Sequence, residues 1–295
     1  MNSLNVVLSL PTRDIGYHSE QLAAAQSAAN RLRVTLQVVY ADGDALLQSQ
    51  QLLNAVQTKG TLPDAIIFEP VGTCLPQVAR LAVGKGVGWV VLNREADYIA
   101  ELRRNTTTPV FEISTDHEEV GRIQGQQFTA LLKQGGLVLY IEGPGSSGAA
   151  ERRCQGMLST KSPGIEVKAL RGNWTEEGAY HAVQSWLRLS TSRQLPVGVI
   201  GCQNDAMAMG ARKAFQELAG AEGGEKWLRL PFTGCDGLPD LGQAWVRSGQ
   251  LAATVVVHPN AGMAVEMLVQ AIQTGKQPVE RTMTKPTSLP PIEKL

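Results

Sequence analysis

Residues 136–157 read GLVLYIEGPGSSGAAERRCQGM, and the way this stretch folds decides the architecture. An apolar run, Leu137–Ile141, leads into a glycine-rich turn, Gly143–Gly148, and then into a helical pattern carrying Arg152 and Arg153. A short continuous apolar run is what a parallel strand buried on both faces requires. A strand passing through glycines into a helix is the opening half of a βαβ unit. Gly143, Gly145 and Gly148 also spell G-x-G-x-x-G, the turn on which a dinucleotide's pyrophosphate meets a helix N-terminus. Glu166 follows at about the spacing at which such sites place an acid on the ribose. Against that reading, the turn lies in the middle of the chain and opens with Pro144, and Gly-rich strand–helix turns are common.

Outward from this stretch the same alternation repeats. Strands are predicted at Val6–Leu10, Val34–Tyr40, Ala65–Phe68, Gly88–Leu92, Phe111–Ser114, Leu137–Ile141, Glu166–Leu170, Val197–Gly201, Arg229–Thr233 and Ala253–Val257. Helical patterns lie between them, among them Ser19–Leu32, Ala45–Lys59, Glu118–Lys133, Glu176–Leu189, Asp205–Leu218 and Ala261–Thr274. Strand–helix alternation means an α/β fold with parallel sheets. Ten strands crowd a single open sheet, so two sheets of about five are expected. The tail Lys285–Leu295, with its prolines, is expected to cross the surface as extended chain.

Composition narrows the function. At 295 residues the chain suits two domains. Formal net charge is zero with no run of like charge, which gives no pull toward nucleic acid or anionic lipid. No apolar stretch approaches the roughly 18 residues of a membrane helix, and the N-terminus MNSLNVVLSLPTRD lacks a basic region followed by a long apolar segment. Cys74, Cys154, Cys202 and Cys235 form no C-x-x-C pair, so zinc spacing is absent and a disulfide framework is not expected. Four thiols lean toward a reducing compartment and read chiefly as small buried hydrophobes. No G-x-S-x-G elbow and no histidine cluster supports nucleophilic or metal hydrolysis.

In open α/β sheets ligands bind beyond the carboxyl ends of the strands. The residues just past those ends are Tyr17 and His18, Glu69, Asn93 and Arg94, Asp116 and His117, Gly143–Arg153, Trp174, Asn204 and Asp205, and Asp236. Arginine offers a rigid fork to neighbouring hydroxyls, Asp accepts, and Asn both donates and accepts. Trp174 adds an apolar face for C–H groups. That mixture suits a sugar or polyol.

Several segments, in order, resemble the type I periplasmic sugar-binding family, the ribose-binding-protein and lac-repressor-like group. They are Gly86–Arg94 (GVGWVVLNR), Ser114–Gly125 (STDHEEVGRIQG), Glu142–Gly156 with its Arg-x-x-Gly helix, Cys202–Ala211 (CQNDAMAMGA), Thr233–Gly237 (TGCDG) and Leu251–Pro259 (LAATVVVHP). The resemblance implies two Rossmann-like lobes with parallel sheets joined by three hinge crossovers. The lobes would be residues 1–114 plus 258–286 and residues 115–257 plus 287–295, with a ligand cleft between them and crossings near Ser114–Thr115, Val257–His258 and Lys285–Pro286. It implies a non-catalytic receptor that closes on one small sugar or polyol without a cofactor, as the solute-binding component of an ABC-type importer. The partner would be a membrane permease or a sensor kinase, the receptor a monomer, and its location the periplasm or cell envelope. A cytoplasmic sensor and the effector domain of a lac-repressor-like regulator share the architecture. With the first strand starting at Asn5, no DNA-reading module is expected in this sequence unless one was trimmed away.

Carried over position by position, the resemblance makes Asn93 and Arg94 ligands from the first lobe. Arg153 and Asn204 come from the second, Asp236 lies near the hinge, and Trp174 stacks on the sugar. Tyr17 and His18 occupy the place of paired aromatics, and Asp116, His117 and Val257 complete the set. Each has a plainer alternative. Arg94 could form an ion pair, Asn204 and Asp205 could cap the following helix, and Trp174 could simply pack. Asp205 is read as the cap and Asn204 as the ligand, and Tyr140 and Trp186 are assigned to the core. Asn93 departs from the family's Asp, Val257 and Ile15 replace polar residues of ribose binders, and Glu69 is an unusual acid, so ribose itself is not implied.

Overall fold

The apolar runs fold as strands. The computed structural model describes residues 3–13, 16–104, 106–189, 191–219 and 225–295. Among them are twelve strands: β1 (Leu4–Leu10), β2 (Val34–Tyr40), β3 (Ala65–Phe68), β4 (Gly88–Leu92), β5 (Val110–Thr115), β6 (Gly136–Glu142), β7 (Ile165–Arg171), β8 (Val197–Cys202), β9 (Phe232–Asp236), β10 (Ala253–Val256), β11 (Arg281–Thr284) and β12 (Thr287–Leu289). The chain divides into two compact units, Met1–Thr115 with Pro259–Thr284 and Asp116–His258 with Lys285–Leu295.

The first unit's sheet runs β11-β5-β4-β3-β1-β2, every neighbouring pair parallel. Every residue of β3 and β4 is buried, and successive side chains point to opposite faces. Ile67, Val90, Leu92 and Phe111 pack under the helices Gly16–Leu32 and Ala261–Thr274. Ile66, Phe68, Trp89 and Val91 pack under Ala45–Gln57 and Pro76–Gly84. This two-sided burial is why the strands read as unbroken apolar runs rather than as alternation.

The second unit repeats the plan with order β12-β10-β9-β8-β6-β7, in which β12 alone is antiparallel to its neighbour β10. Leu139, Ile141, Ile200 and Phe232 meet the helices Glu176–Leu187 and Asp205–Ala219. Val138, Tyr140 and Val199 meet Phe128 and Met157, from the helices His117–Leu131 and Gly148–Thr160.

Three expectations are corrected. Each sheet has six strands rather than about five. The two extra strands, β11 and β12, are short edge strands whose residues are exposed or half-buried and carry no apolar run. The tail is therefore not merely extended, because Thr287–Leu289 pairs with Val256–Thr254. The strand expected at Arg229–Thr233 forms at Phe232–Asp236, since Glu225–Leu228 is helical and buries Trp227 ahead of it.

Candidate functional site

Both units gather polar side chains past the carboxyl ends of their parallel strands. In the first unit, Asn93 follows β4 and is buried with a left-handed backbone, φ 56°. An amide side chain tolerates that conformation better than most, and here it is locked by a polar network. The Asn93 Nδ2 donates to the Tyr17 hydroxyl at 3.3 Å, and its Oδ1 accepts from the Asn260 Nδ2 at 2.7 Å. Gln21 closes the ring, donating to the Tyr17 hydroxyl at 3.2 Å and to the Asn260 Oδ1 at 2.9 Å. Its own Oε1 accepts from the Ala261 N–H at 2.8 Å. The network orients Tyr17 and the start of the helix Gly16–Leu32. His18, beside Tyr17 at 6.2 Å between ring centroids, places its Nε2 3.7 Å from the Glu69 carboxylate. Glu69 is largely buried rather than a free surface acid, and its second oxygen is closed off without a hydrogen bond. Arg94 is half-buried and makes no hydrogen bond or ion pair with any described residue. Within its own unit the guanidinium therefore keeps its five donors available.

In the second unit, two helices lie in backbone contact. A Cβ at Gly121 would stand 2.0 Å from the Arg153 carbonyl oxygen, and one at Gly156 would stand 2.0 Å from that of Glu118. Glycine at both places lets the helix bearing Arg153 press against the start of the helix bearing His117. The Arg153 Nη2 lies 3.5 Å from the His117 Nδ1, and its Nη1 donates to the Gln203 carbonyl. Its guanidinium sits over the Trp174 ring, 5.2 Å from the centroid. Arg153 is almost wholly buried, so hydrogen bonds and a ring face hold its charge in one orientation.

Trp174 stands on a strained loop, with φ 54° at Asn173 and 66° at Trp174. Its carbonyl accepts from the Asn204 Nδ2 at 2.9 Å, while the Asn204 Oδ1 accepts from the Met207 N–H at 2.8 Å. Asn204 is thus the helix cap, and it still keeps one amide hydrogen. Asp205 is not the cap. Its Oδ1 accepts from the Thr254 hydroxyl at 2.7 Å and its Oδ2 from the Gly237 N–H at 2.8 Å. The cap falls to Asn204 instead because residue 205 is the first in the helix and its side chain points into the core, where it is buried. Burial, with the Asp236 carboxylate nearby, pushes the Asp205 carboxyl well above the usual range.

Asp116 caps its helix through the Glu119 N–H at 2.9 Å, which commits one oxygen and leaves the other. Asp236 ends β9 with φ 107°. Val257 is buried, and its N–H donates to the Asp236 carbonyl at 3.0 Å. Tyr140 and Trp186 belong to the core as expected. Ile15 lies outside the described residues. Gln21 and Asn260 lie in no motif, and Gln203, although inside the CQNDAMAMGA segment, has no role there that the resemblance implies. Gln203 binds the Gly143 N–H and the Ala150 carbonyl, each at 2.9 Å, and so shapes the glycine turn.

The turn's glycines answer to this packing. A Cβ at Gly143 would stand 2.3 Å from the Trp174 indole, whereas one at Gly148 would meet nothing within 4 Å. Gly143 is required by a tryptophan rather than by a pyrophosphate, and Ser147 caps the helix that follows. Burial raises all four thiols, Cys74 and Cys154 to about 11.

Two α/β units, each with convergent donors, acceptors and aromatic faces past its strand ends, define a binding protein of doubly wound lobes. The chain belongs to the periplasmic binding protein domain family, which matches residues 6–277. Solved structures of similar fold include a periplasmic solute-binding protein of an ABC transporter from Actinobacillus succinogenes 130z with bound D-allose (TM-score 0.82, 21% identity, 97% of each chain). A myo-inositol binding protein from Caulobacter gives a TM-score of 0.80 at 23% identity over 97% of this chain and 92% of its own. The binding component of an arabinose transporter from Shewanella sp. ANA-3, bound to L-arabinofuranose, gives 0.81 at 20% over 98% and 93%. Among curated proteins there is no significant sequence match. Among the described residues no helix is long and apolar enough to cross a membrane.

Proposed function

We infer that the protein is a non-catalytic receptor for one small sugar or polyol, serving an ABC-type importer. The observation that carries this reading is the Arg153–Trp174 pair, a guanidinium fixed 5.2 Å above an indole. A fixed cationic fork beside an aromatic face suits ring hydroxyls and the C–H surface of a carbohydrate. Arg94, Asn93 and Tyr17 supply the complementary groups of the first unit. Membership of the periplasmic binding protein family and the sugars named for the similar structures support the same reading.

The mechanism we propose is ligand-driven closure. A ligand touching groups of both units favours the state in which they share it, and its differential affinity sets the population shift. A membrane permease or sensor kinase reads the closed state, and the receptor acts as a monomer in the cell envelope. Cross-checking groups reject analogues that lack a hydroxyl, because buried donors would be left unpaired. A thermal-shift screen against pentoses, hexoses, polyols, nucleosides and NAD(P) tests this. A sugar or polyol should raise the melting temperature by mass action, and a response to NAD(P) alone would overturn it.

A further inference from the structure

Asp236 holds a backbone conformation that asks for an explanation. Its φ is 107° and that of Gly237 is 57°. A non-glycine residue in that region is strained and persists only where its surroundings over-determine it. Three hydrogen bonds do so here. Val257 N–H donates to the Asp236 carbonyl at 3.0 Å, and Gln243 Nε2 donates to the Gly237 carbonyl at 2.8 Å. The Asp205 carboxyl accepts from the Gly237 N–H at 2.8 Å.

The last of these has a slot built for it. Thr254, paired in register with Gly234, donates its hydroxyl to the other Asp205 oxygen at 2.7 Å. A Cβ at Gly234 would stand 2.0 Å from the Asp205 Oδ1, and one at Gly242 would stand 1.9 Å from Oδ2. Neither glycine has a positive φ, so space is what requires them. Two glycines, a threonine hydroxyl and a backbone amide from three separate segments thus converge on one buried side chain.

We propose that Asp205 is a positioning residue: it touches no ligand, and by clamping the Gly237 amide it sets the direction in which Asp236 presents its carboxylate to the ligand. The proposal rests on the sugar-receptor reading for its effect on affinity, but not for the clamp itself. Asparagine can reproduce both bonds, its Oδ1 accepting from Gly237 and its Nδ2 donating to the Thr254 oxygen. Alanine can reproduce neither.

The experiment uses the full chain as wild type, Asp205→Asn, Asp205→Ala and Gly242→Ala, the last pushing the carboxyl off the amide without removing it. Two quantities are read, hydrogen exchange at the Gly237 amide without ligand and the Kd for D-allose, myo-inositol or L-arabinose, whichever the wild type binds most tightly. We expect exchange at least about tenfold faster in Asp205→Ala and Gly242→Ala, with affinity reduced at least about tenfold. Asp205→Asn should stay within about threefold of wild type in both. If Asp205→Ala does not fold, Gly242→Ala decides alone. Unchanged Gly237 exchange overturns the clamp, and faster exchange with unchanged affinity overturns the positioning role. A wild type that binds none of the three sugars tells against the receptor reading, and the exchange measurement still decides the clamp.

Discussion

The Trp174 indole lies directly against the backbone of Gly143, so close that an added Cβ would stand 2.3 Å from its Cε2 and Cζ2 atoms. This contact joins the turn after β6 to the loop after β7, and it sets the height of the indole beneath the Arg153 guanidinium. Gly143→Ala must therefore displace a rigid ring. Overpacking of this kind costs about 1–3 kcal/mol, a fall of about 2–5 °C in melting temperature for a chain of this size. Affinity for the sugar should fall as well. Gly148→Ala, in open space, should change neither by calorimetry or thermal melting. Equal effects of the two substitutions would show that the glycines serve the turn and not the tryptophan.

The contrast between those two glycines shows what was legible in the sequence. Arg153 stands out only through the family resemblance, as the arginine of its Arg-x-x-Gly helix, and no rule of spacing separates it from Arg152. Trp174 could be found because it lies past a strand end. The sheets were legible because burial on both faces writes β3 and β4 as unbroken apolar runs. The amides that hold the site could not be found this way. Gln21 meets Asn260 across 239 positions, and Gln203 meets Gly143 across 60, and no local pattern encodes such pairings. Asn204 and Asp205 are both good cap residues, and only the fold decides which one turns inward. The edge strands β11 and β12 carry no such signal, because an edge needs no apolar run.

Protonation should be visible in stability through Asp205. Burial raises its carboxyl well above the usual range, whereas in the unfolded chain an aspartate titrates near 3.9. The folded state therefore holds a proton that the unfolded chain releases above about pH 4. The stability this confers is full below that pH and is lost as pH rises toward the folded value. Asp205→Asn is neutral throughout and loses nothing. The melting temperature of the variant relative to wild type should thus be higher at pH 8 than at pH 4. A difference that is flat with pH would mean that Asp205 is ionised in the fold.

The thiols should be inert in the folded protein. Cys74 and Cys154 are pushed up to about 11 by burial, so only about one in a thousand is thiolate at pH 8, and the thiolate is the reactive form. Cys202 and Cys235 are wholly buried. Iodoacetamide at pH 8 should label the native protein at least about a hundredfold more slowly than the protein in urea, as followed by intact mass. Rapid labelling of one site without denaturant would place a reactive thiol where burial argues against it.

Two arginines offer the sharpest separation of binding from stability. Arg94 makes no hydrogen bond or ion pair with a described residue and is half-buried. Removing it relieves a poorly solvated charge, so Arg94→Ala should leave the melting temperature unchanged or slightly raised. Arg153 is buried and held by Gln203, His117 and Trp174. Arg153→Ala leaves a cavity and an unmet carbonyl, which costs about 1–3 kcal/mol. If both arginines grip the sugar, titration calorimetry should show both variants losing affinity by at least about a hundredfold, since a charge-assisted bidentate contact is lost in each. Arg153→Lys should recover stability better than binding, because an ammonium cannot reproduce the planar fork over the indole. Retained affinity in Arg94→Ala would show that Arg94 does not grip the sugar.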